Sequence, residues 1–279
     1  MADAARPKKT PTQDGSLKYR PLPRWIPATL YRPGLRAIRA ATDRGWFGRT
    51  PLESHVVVCG FPRAGTTLLQ LMIQASVDGI RTFHRERWAL DVGRHAIRNH
   101  RLMLSKKPDD QFKVDAIRDF YSTRPATPQF LLTLRDPRSV LTSRLATSEP
   151  HVSPERFRRL VAQTLTLRDD PDVCVVRYED NVADPNRIER QLTDLIGWQV
   201  SRPFAEFHRN VSSDFDTTAL NGVRKADAAN AQRWRQPQFA EELRTLVMQT
   251  LPELPDRLIE LGYETDDAWA SDLTRRRAA

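Results

Sequence analysis

Two stretches of this chain carry residue types that can hold small anions. The first is Gly60-Phe61-Pro62-Arg63-Ala64-Gly65-Thr66-Thr67, which follows the apolar run His55-Val-Val-Val-Cys59 and precedes Leu68-Leu69. A loop that leaves a strand and opens a helix exposes backbone N–H groups with no partner inside the helix, and these draw an anion. Glycine at 60 and 65 lets the backbone close round a phosphate with no side chain in the way. Against the nucleoside-triphosphate pattern G-x-x-x-x-G-K-[ST], both glycines and Thr67 fit, but Thr66 stands where the lysine would be. A kinase or ATPase uses that lysine, with Mg²⁺, against a β/γ-phosphate pair. Arg63, two hydroxyls and helix N–H groups suit a group that carries less charge. The plain alternative is a strand-to-helix turn that binds nothing.

The second stretch is Leu134-Arg135-Asp-Pro137-Arg138-Ser-Val-Leu-Thr-Ser143-Arg144, which leaves an apolar run and enters a helix at Pro137, a residue favoured at the first helical position. Arg135 and Ser143 can converge on one small anion, or Arg135 can cap the sheet through Asp136. A third segment, Thr82-Phe-His84-Arg85-Glu86-Arg87, lies just past an expected second strand. The carboxyl ends of parallel strands face the ligand crevice, so this segment should open beside the glycine loop with two proton acceptors. The ordinary pKa of His84 is the better suited. Burial can raise Glu86 toward neutrality, an effect that Arg85 and Arg87 oppose if they turn inward. A plain surface glutamate is the alternative.

The glycine loop resembles, nearly residue for residue, the 5'-phosphosulfate loop of the sulfotransferases that use 3'-phosphoadenosine-5'-phosphosulfate (PAPS). In pattern the chain is closest to bacterial members akin to the carbohydrate- and tyrosine-modifying enzymes. The resemblance implies that Arg63, Ala64, Gly65, Thr66 and Thr67 hold the 5'-phosphosulfate. Arg135 and Ser143 match the arginine and serine, eight apart, that bind the donor's 3'-phosphate in the family. Arg224 and Lys225 stand where members place a basic pair over the same phosphate, although Ala226 replaces a glycine and Trp234 comes late. Lys106, shortly before Pro108, resembles the lysine that stabilises the departing phosphate oxygen, the alternative being an exposed lysine pair. Glu86 follows Arg63 by 23 positions, where the carbohydrate and tyrosine type carries a glutamate base, with His84 as second choice. The segment Val176-Arg-Tyr-Glu-Asp-Asn-Val-Ala-Asp-Pro185 also resembles the family and reads as scaffold. The resemblance covers residues 53–265 and implies transfer of a sulfuryl group from PAPS to a hydroxyl or amine on a carbohydrate, glycolipid or small metabolite, with no metal. A P-loop small-molecule kinase and a non-catalytic nucleotide-binding protein are the rival readings.

These groups need a scaffold that brings strand ends together. Strand-like runs at 55–59, 80–83, 129–134 and 173–178 alternate with helix-like segments at 66–76, 137–145, 154–168, 185–196, 239–250 and 252–261. That alternation predicts an α/β, P-loop-like three-layer fold, its central mostly parallel sheet flanked by helices.

The chain has 279 residues and a net charge of +9. Residues 1–50 hold eleven Lys and Arg against Asp3, Asp14 and Asp43, while the rest carries 33 basic and 32 acidic residues. The basicity belongs to an extension, 1–50, of which residues 1–24 read as mobile, and to the Arg275-Arg276-Arg277 tail; one catalytic domain, 51–279, follows the extension, and nucleic acid is not expected as a partner. A helix after Gly34 would put Leu35, Ile38 and Ala41 on one face. It can touch anionic lipid, but wrapping over its own domain is the favoured reading. No apolar run approaches the ~18 residues of a membrane span. Cys59 and Cys174 read as buried free thiols, which suits a cytoplasmic setting.

Overall fold

The structure, a computed structural model, describes residues 34, 37, 38, 40–95, 99–144, 150–211 and 222–275. Residues 1–33, including most of the expected extension, lie outside the described residues, as does Leu35.

The run around Val56 is apolar without alternation, as a strand buried on both faces requires. It forms β1, Ser54–Gly60, every residue of it buried. In chain order there follow α1 (Thr66–Ser76), β2 (Ile80–Arg81), α2 (Ala89–His95), β3 (Leu102–Lys106), α3 (Val114–Tyr121), β4 (Thr127–Leu134), α4 (Pro137–Leu141) and α5 (Pro154–Arg168). Then come β5 (Val173–Arg177), α6 (Tyr178–Ala183), α7 (Pro185–Ile196), α8 (Ala240–Thr245), α9 (Leu254–Glu260) and α10 (Ala268–Arg275). The strands form one sheet in the order β2-β3-β1-β4-β5, every adjacent pair parallel.

Alternate residues of the strands supply opposite faces. Val56, Val58, Leu104, Leu131 and Val176 pack with Leu69, Met72 and Ile73 of α1 and with Leu192 of α7. Val57, Cys59, Met103, Phe130 and Leu132 pack with Ile117 and Tyr121 of α3. A third cluster joins Phe61 and Leu134 to Phe157 and Leu160 of α5 and Leu258 of α9. Helices therefore cover both faces, which gives the three-layer α/β architecture. Both cysteines are free, Cys59 buried and Cys174 only half-buried.

Three helices start on one local rule, a capping carboxylate or hydroxyl followed by proline. Asp136 accepts from the Arg138 N–H at 2.9 Å, Ser153 from Arg156 at 3.2 Å and Asp184 from Arg187 at 3.0 Å. Helix α4 is shorter than the expected 137–145 and ends at Thr142, whose hydroxyl donates back to the Arg138 carbonyl; residue 145 lies outside the described residues. The expected helix over 239–250 holds α-geometry only as α8 and widens to a π-turn over Leu246–Thr250. The expected strand over 80–83 pairs only through Ile80 and Arg81, because at the sheet edge it has one neighbour. Tyr178, read as the end of a strand, opens α6 instead.

Several elements carry no sequence expectation, among them β3, α2, α3 and α10. Strand β3 is short and spelled with Leu, Met and Lys, which favour helix as readily as strand. The apolar residues of α3, Val114, Ile117 and Tyr121, have helical spacing over only two turns. Helix α2 is shorter still.

Candidate anion-binding cleft at the strand carboxyl ends

Strand β1 lies at the centre of the sheet, between β3 and β4, and the chain crosses from one side of it to the other. Ligands bind at the carboxyl ends of such strands. A cleft of about 310 Å³ opens there, lined by the 60–67 loop, Glu86, Arg135, Tyr178 and the 222–233 segment.

The loop geometry follows from its glycines. Gly60 adopts φ 121°, and a Cβ on it would meet the Thr133 carbonyl oxygen at 2.2 Å. Gly65 adopts φ 80°, and a Cβ there would meet the Tyr178 ring at 2.6 Å. Arg63 has φ 64° without being glycine, a backbone state that costs about 1–3 kcal/mol and that clusters at ligand sites. Helix α1 begins at Thr66 with no side-chain cap, so its first N–H groups are left for a ligand. Arg63, Gly65, Thr66 and Thr67 line the cleft. Ala64 does not, because its methyl is buried with Phe61 and Leu134.

The second stretch meets the first through Arg63. Its Nε donates to Ser143 Oγ at 3.1 Å, and its carbonyl accepts from Arg135 at 3.1 Å. Ser143 is therefore held by Arg63 and is not among the residues lining the cleft. Arg135 lies over the Tyr178 ring, 4.2 Å from its centre, and also donates to the Asn230 carbonyl at 2.7 Å. Its Nε is buried with no acceptor among the described residues. Burial and the charge of Arg63 hold its pKa below the ordinary arginine value, against the opposing pull of Tyr178, Glu179 and Asp136. A buried donor with no acceptor carries a desolvation penalty that an anion in the cleft would relieve. Arg224 and Lys225 are exposed and line the same cleft with Arg233.

Glu86 lines the cleft. Lys106, buried rather than exposed, donates to Thr67 Oγ1 at 3.0 Å and to Glu86 Oε1 at 3.3 Å, while Lys107 reaches Glu86 Oε2 at 2.8 Å. The parallel register of β1 with β3, Val58 beside Lys106, puts that lysine behind the loop. Burial pulls the Glu86 pKa up, but the hydrogen bond from Lys107 and the charges of both lysines outweigh it and hold the carboxyl below its ordinary value. The expected rise toward neutrality is therefore reversed. The cations responsible are Lys106 and Lys107, while Arg85 and Arg87 are exposed. His84 is half-buried and is not among the residues lining the cleft.

The segment read as scaffold contributes directly to the site. Tyr178 lines the cleft, and Glu179 accepts from the Asp136 N–H at 2.9 Å, tying α6 to the Arg135 turn. Tyr178 follows the carboxyl end of β5, which is the signal that could have found it. Asn230 and His151 also line the cleft, and neither belongs to a motif.

No family model and no curated protein matches the chain. Among solved structures it is similar to the "Sulfotransferase Domain from the Synechococcus PCC 7002 Olefin Synthase", with TM-score 0.50 and 17% identity over 67% of this chain and 89% of that one. The "Sulfotransferase Domain from the Curacin Biosynthetic Pathway" matches with TM-score 0.44 and 17% identity over 70% of this chain and 98% of that one. At such identity the likeness to the olefin synthase domain is one of fold.

Proposed function

We propose that this chain transfers a sulfuryl group from PAPS to a hydroxyl or amine on a carbohydrate, glycolipid or small metabolite. The observation that carries the reading is the buried, acceptor-less Nε of Arg135 beside a glycine loop that lacks the nucleoside-triphosphate lysine. A donor with phosphate groups at both ends of one nucleoside fits two linked anion sites. Shared fold with a sulfotransferase domain adds to it.

In this reading the N–H groups at the start of α1, with Arg63, Thr66 and Thr67, hold the 5'-phosphosulfate. Arg135, with Arg224 and Lys225, holds the 3'-phosphate, and Ser143 joins them by exchanging its bond with Arg63 for one to the phosphate. The acceptor oxygen or nitrogen forms a bond to sulfur as the bond from sulfur to the bridging 5'-phosphate oxygen breaks. The electron pair stays on that oxygen, and Lys106 neutralises it. The acceptor proton passes to Glu86, which its two lysines keep ionised. The chemistry asks for no metal. Thermal protection by PAPS against ATP tests the donor, since a P-loop kinase would be protected by ATP.

At the opposite end of the sheet, Trp46 and Phe47 protrude, 60% and 76% exposed, between Arg44 and Arg49. Ala41, Thr42 and Asp43 just before them are buried, which supports the reading that this part of the extension wraps its own domain. The aromatic tip and the basic residues that precede it suit peripheral contact with anionic lipid.

A further inference from the structure

His151 lies in the connection from α4 to α5 and lines the cleft together with Arg63 and Glu86. Its N–H donates to the Ser143 carbonyl at 3.1 Å, and Arg144 and Pro150 form an antiparallel bridge beside it. The turn that places Ser143 therefore places His151 as well. The ring is half-buried, yet no group among the described residues hydrogen-bonds to it. Among the described residues, the charged groups that act on it are Arg63, Arg156 and Glu86. Burial, with the charges of Arg63 and Arg156, holds the imidazole below its ordinary pKa of 6.5 against the pull of Glu86. At neutral pH the ring is uncharged and offers one nitrogen lone pair to the cleft.

An uncharged imidazole adds no charge against a phosphate, a task that the arginines already meet. Both Glu86 oxygens already accept from lysines, whereas among the described residues nothing engages the His151 lone pair. We propose that His151 is an acceptor-binding residue whose unprotonated ring nitrogen accepts the hydrogen bond of the incoming hydroxyl or amine and turns its lone pair toward sulfur. The inference rests on the sulfotransferase reading: the acceptor atom bonds to sulfur, the bridging oxygen leaves with its electron pair on the 5'-phosphate, and the acceptor proton passes by way of the His151 ring nitrogen to Glu86.

The test uses the full chain, PAPS labelled in its sulfuryl group and water as the probe acceptor, with released sulfate as readout. His151→Ala and His151→Gln should bind PAPS within about twofold of wild type by calorimetry and release sulfate roughly 10–100-fold more slowly, a loss in the lower range of proton-transfer and positioning effects. In wild type the rate should fall as pH drops through the His151 pKa, below 6.5. In the variants that limb should move down to the range of Glu86, below its ordinary 4.5. Unchanged rates and pH profile, or PAPS affinity falling in step with rate, overturn the assignment. If wild-type protein does not bind PAPS, the sulfotransferase reading itself falls, and this inference with it. Where release to water is too slow to follow, imidazole NMR assigned with His151→Asn decides: a ring neutral at pH 7 with the desulfated nucleotide product bound supports the proposal, and a protonated one sinks it.

Discussion

Arg63 donates from Nε to Ser143 Oγ at 3.1 Å across 80 positions of sequence. The two candidate anion-binding stretches are thereby one structure, and Arg135 closes the link through the Arg63 carbonyl. Charge-assisted contacts to a phosphate are worth about 1.5–3 kcal/mol each. Arg135→Ala should therefore weaken PAPS by roughly 10–150-fold while changing adenosine 5'-phosphosulfate, which lacks the 3'-phosphate, far less. Calorimetry with both donors checks it, and equal losses would remove the 3'-phosphate from Arg135.

Glu86→Gln should keep PAPS affinity, since the amide oxygen can still accept from a lysine, and lower turnover by roughly 10²–10⁴, the usual size of a general-base contribution. His84→Ala, outside the cleft lining, should leave turnover within a few-fold of wild type. A fully active Glu86→Gln beside a dead His84→Ala with intact donor binding would transfer the role to His84.

Asp110 is buried, accepts from the Ala89 N–H at 2.9 Å through Oδ2 and leaves Oδ1 without a partner among the described residues. Burial first, then the charge of Asp91, pushes its pKa up to about 7, against the Ala89 N–H, Lys113 and Lys107. The folded pKa lies above the unfolded one, so the folded state holds the extra proton between the two values. Stability is greatest below the unfolded pKa near 4 and declines as pH rises toward 7. Asp110→Asn keeps an acceptor for Ala89 and has no charge to bury. Denaturant unfolding at pH 5 and pH 8 should show wild type losing stability, on the order of a few kcal/mol at most, and the variant losing little. An equal loss in both would assign the pH dependence elsewhere.

Deleting residues 1–24 should leave turnover on a soluble acceptor nearly intact, because neither anion stretch falls within them. Trp46→Ser with Phe47→Ser should reduce co-sedimentation with vesicles of phosphatidylglycerol and phosphatidylcholine without changing PAPS affinity. A large fall in turnover after the deletion, or undiminished vesicle binding by the double variant, would contradict the respective expectation.

The most legible elements were those whose signals are local. The ends of α1, α5 and α7 coincide with the expected bounds because glycine or capped proline marks their starts. The apolar runs of β1, β4 and β5 mark strands buried on both faces. Strand β3 escaped notice because its five residues carry neither pattern, and with it went the reason that Lys106 lies behind the loop rather than on the surface. Arg63, Gly65, Thr66 and Thr67 were readable because one loop supplies them all. Asn230 enters the site only through tertiary approach to Arg135, whereas Tyr178, over which Arg135 lies, was signalled only by its place just past the carboxyl end of β5. The Glu86 carboxyl was placed in the cleft by the parallel-sheet rule, but its electrostatics were not, because Lys106 and Lys107 come from a strand the sequence did not announce.

The central claim is that the cleft holds a nucleotide with phosphate groups at both its 5' and 3' positions. Calorimetric titration of the full chain with PAPS and with ATP, each with and without Mg²⁺, tests it most directly. The account predicts PAPS binding that needs no Mg²⁺ and ATP binding at least about tenfold weaker, a difference of about 1.4 kcal/mol. ATP binding as tight as PAPS or tighter, dependent on Mg²⁺, would contradict it and favour a kinase.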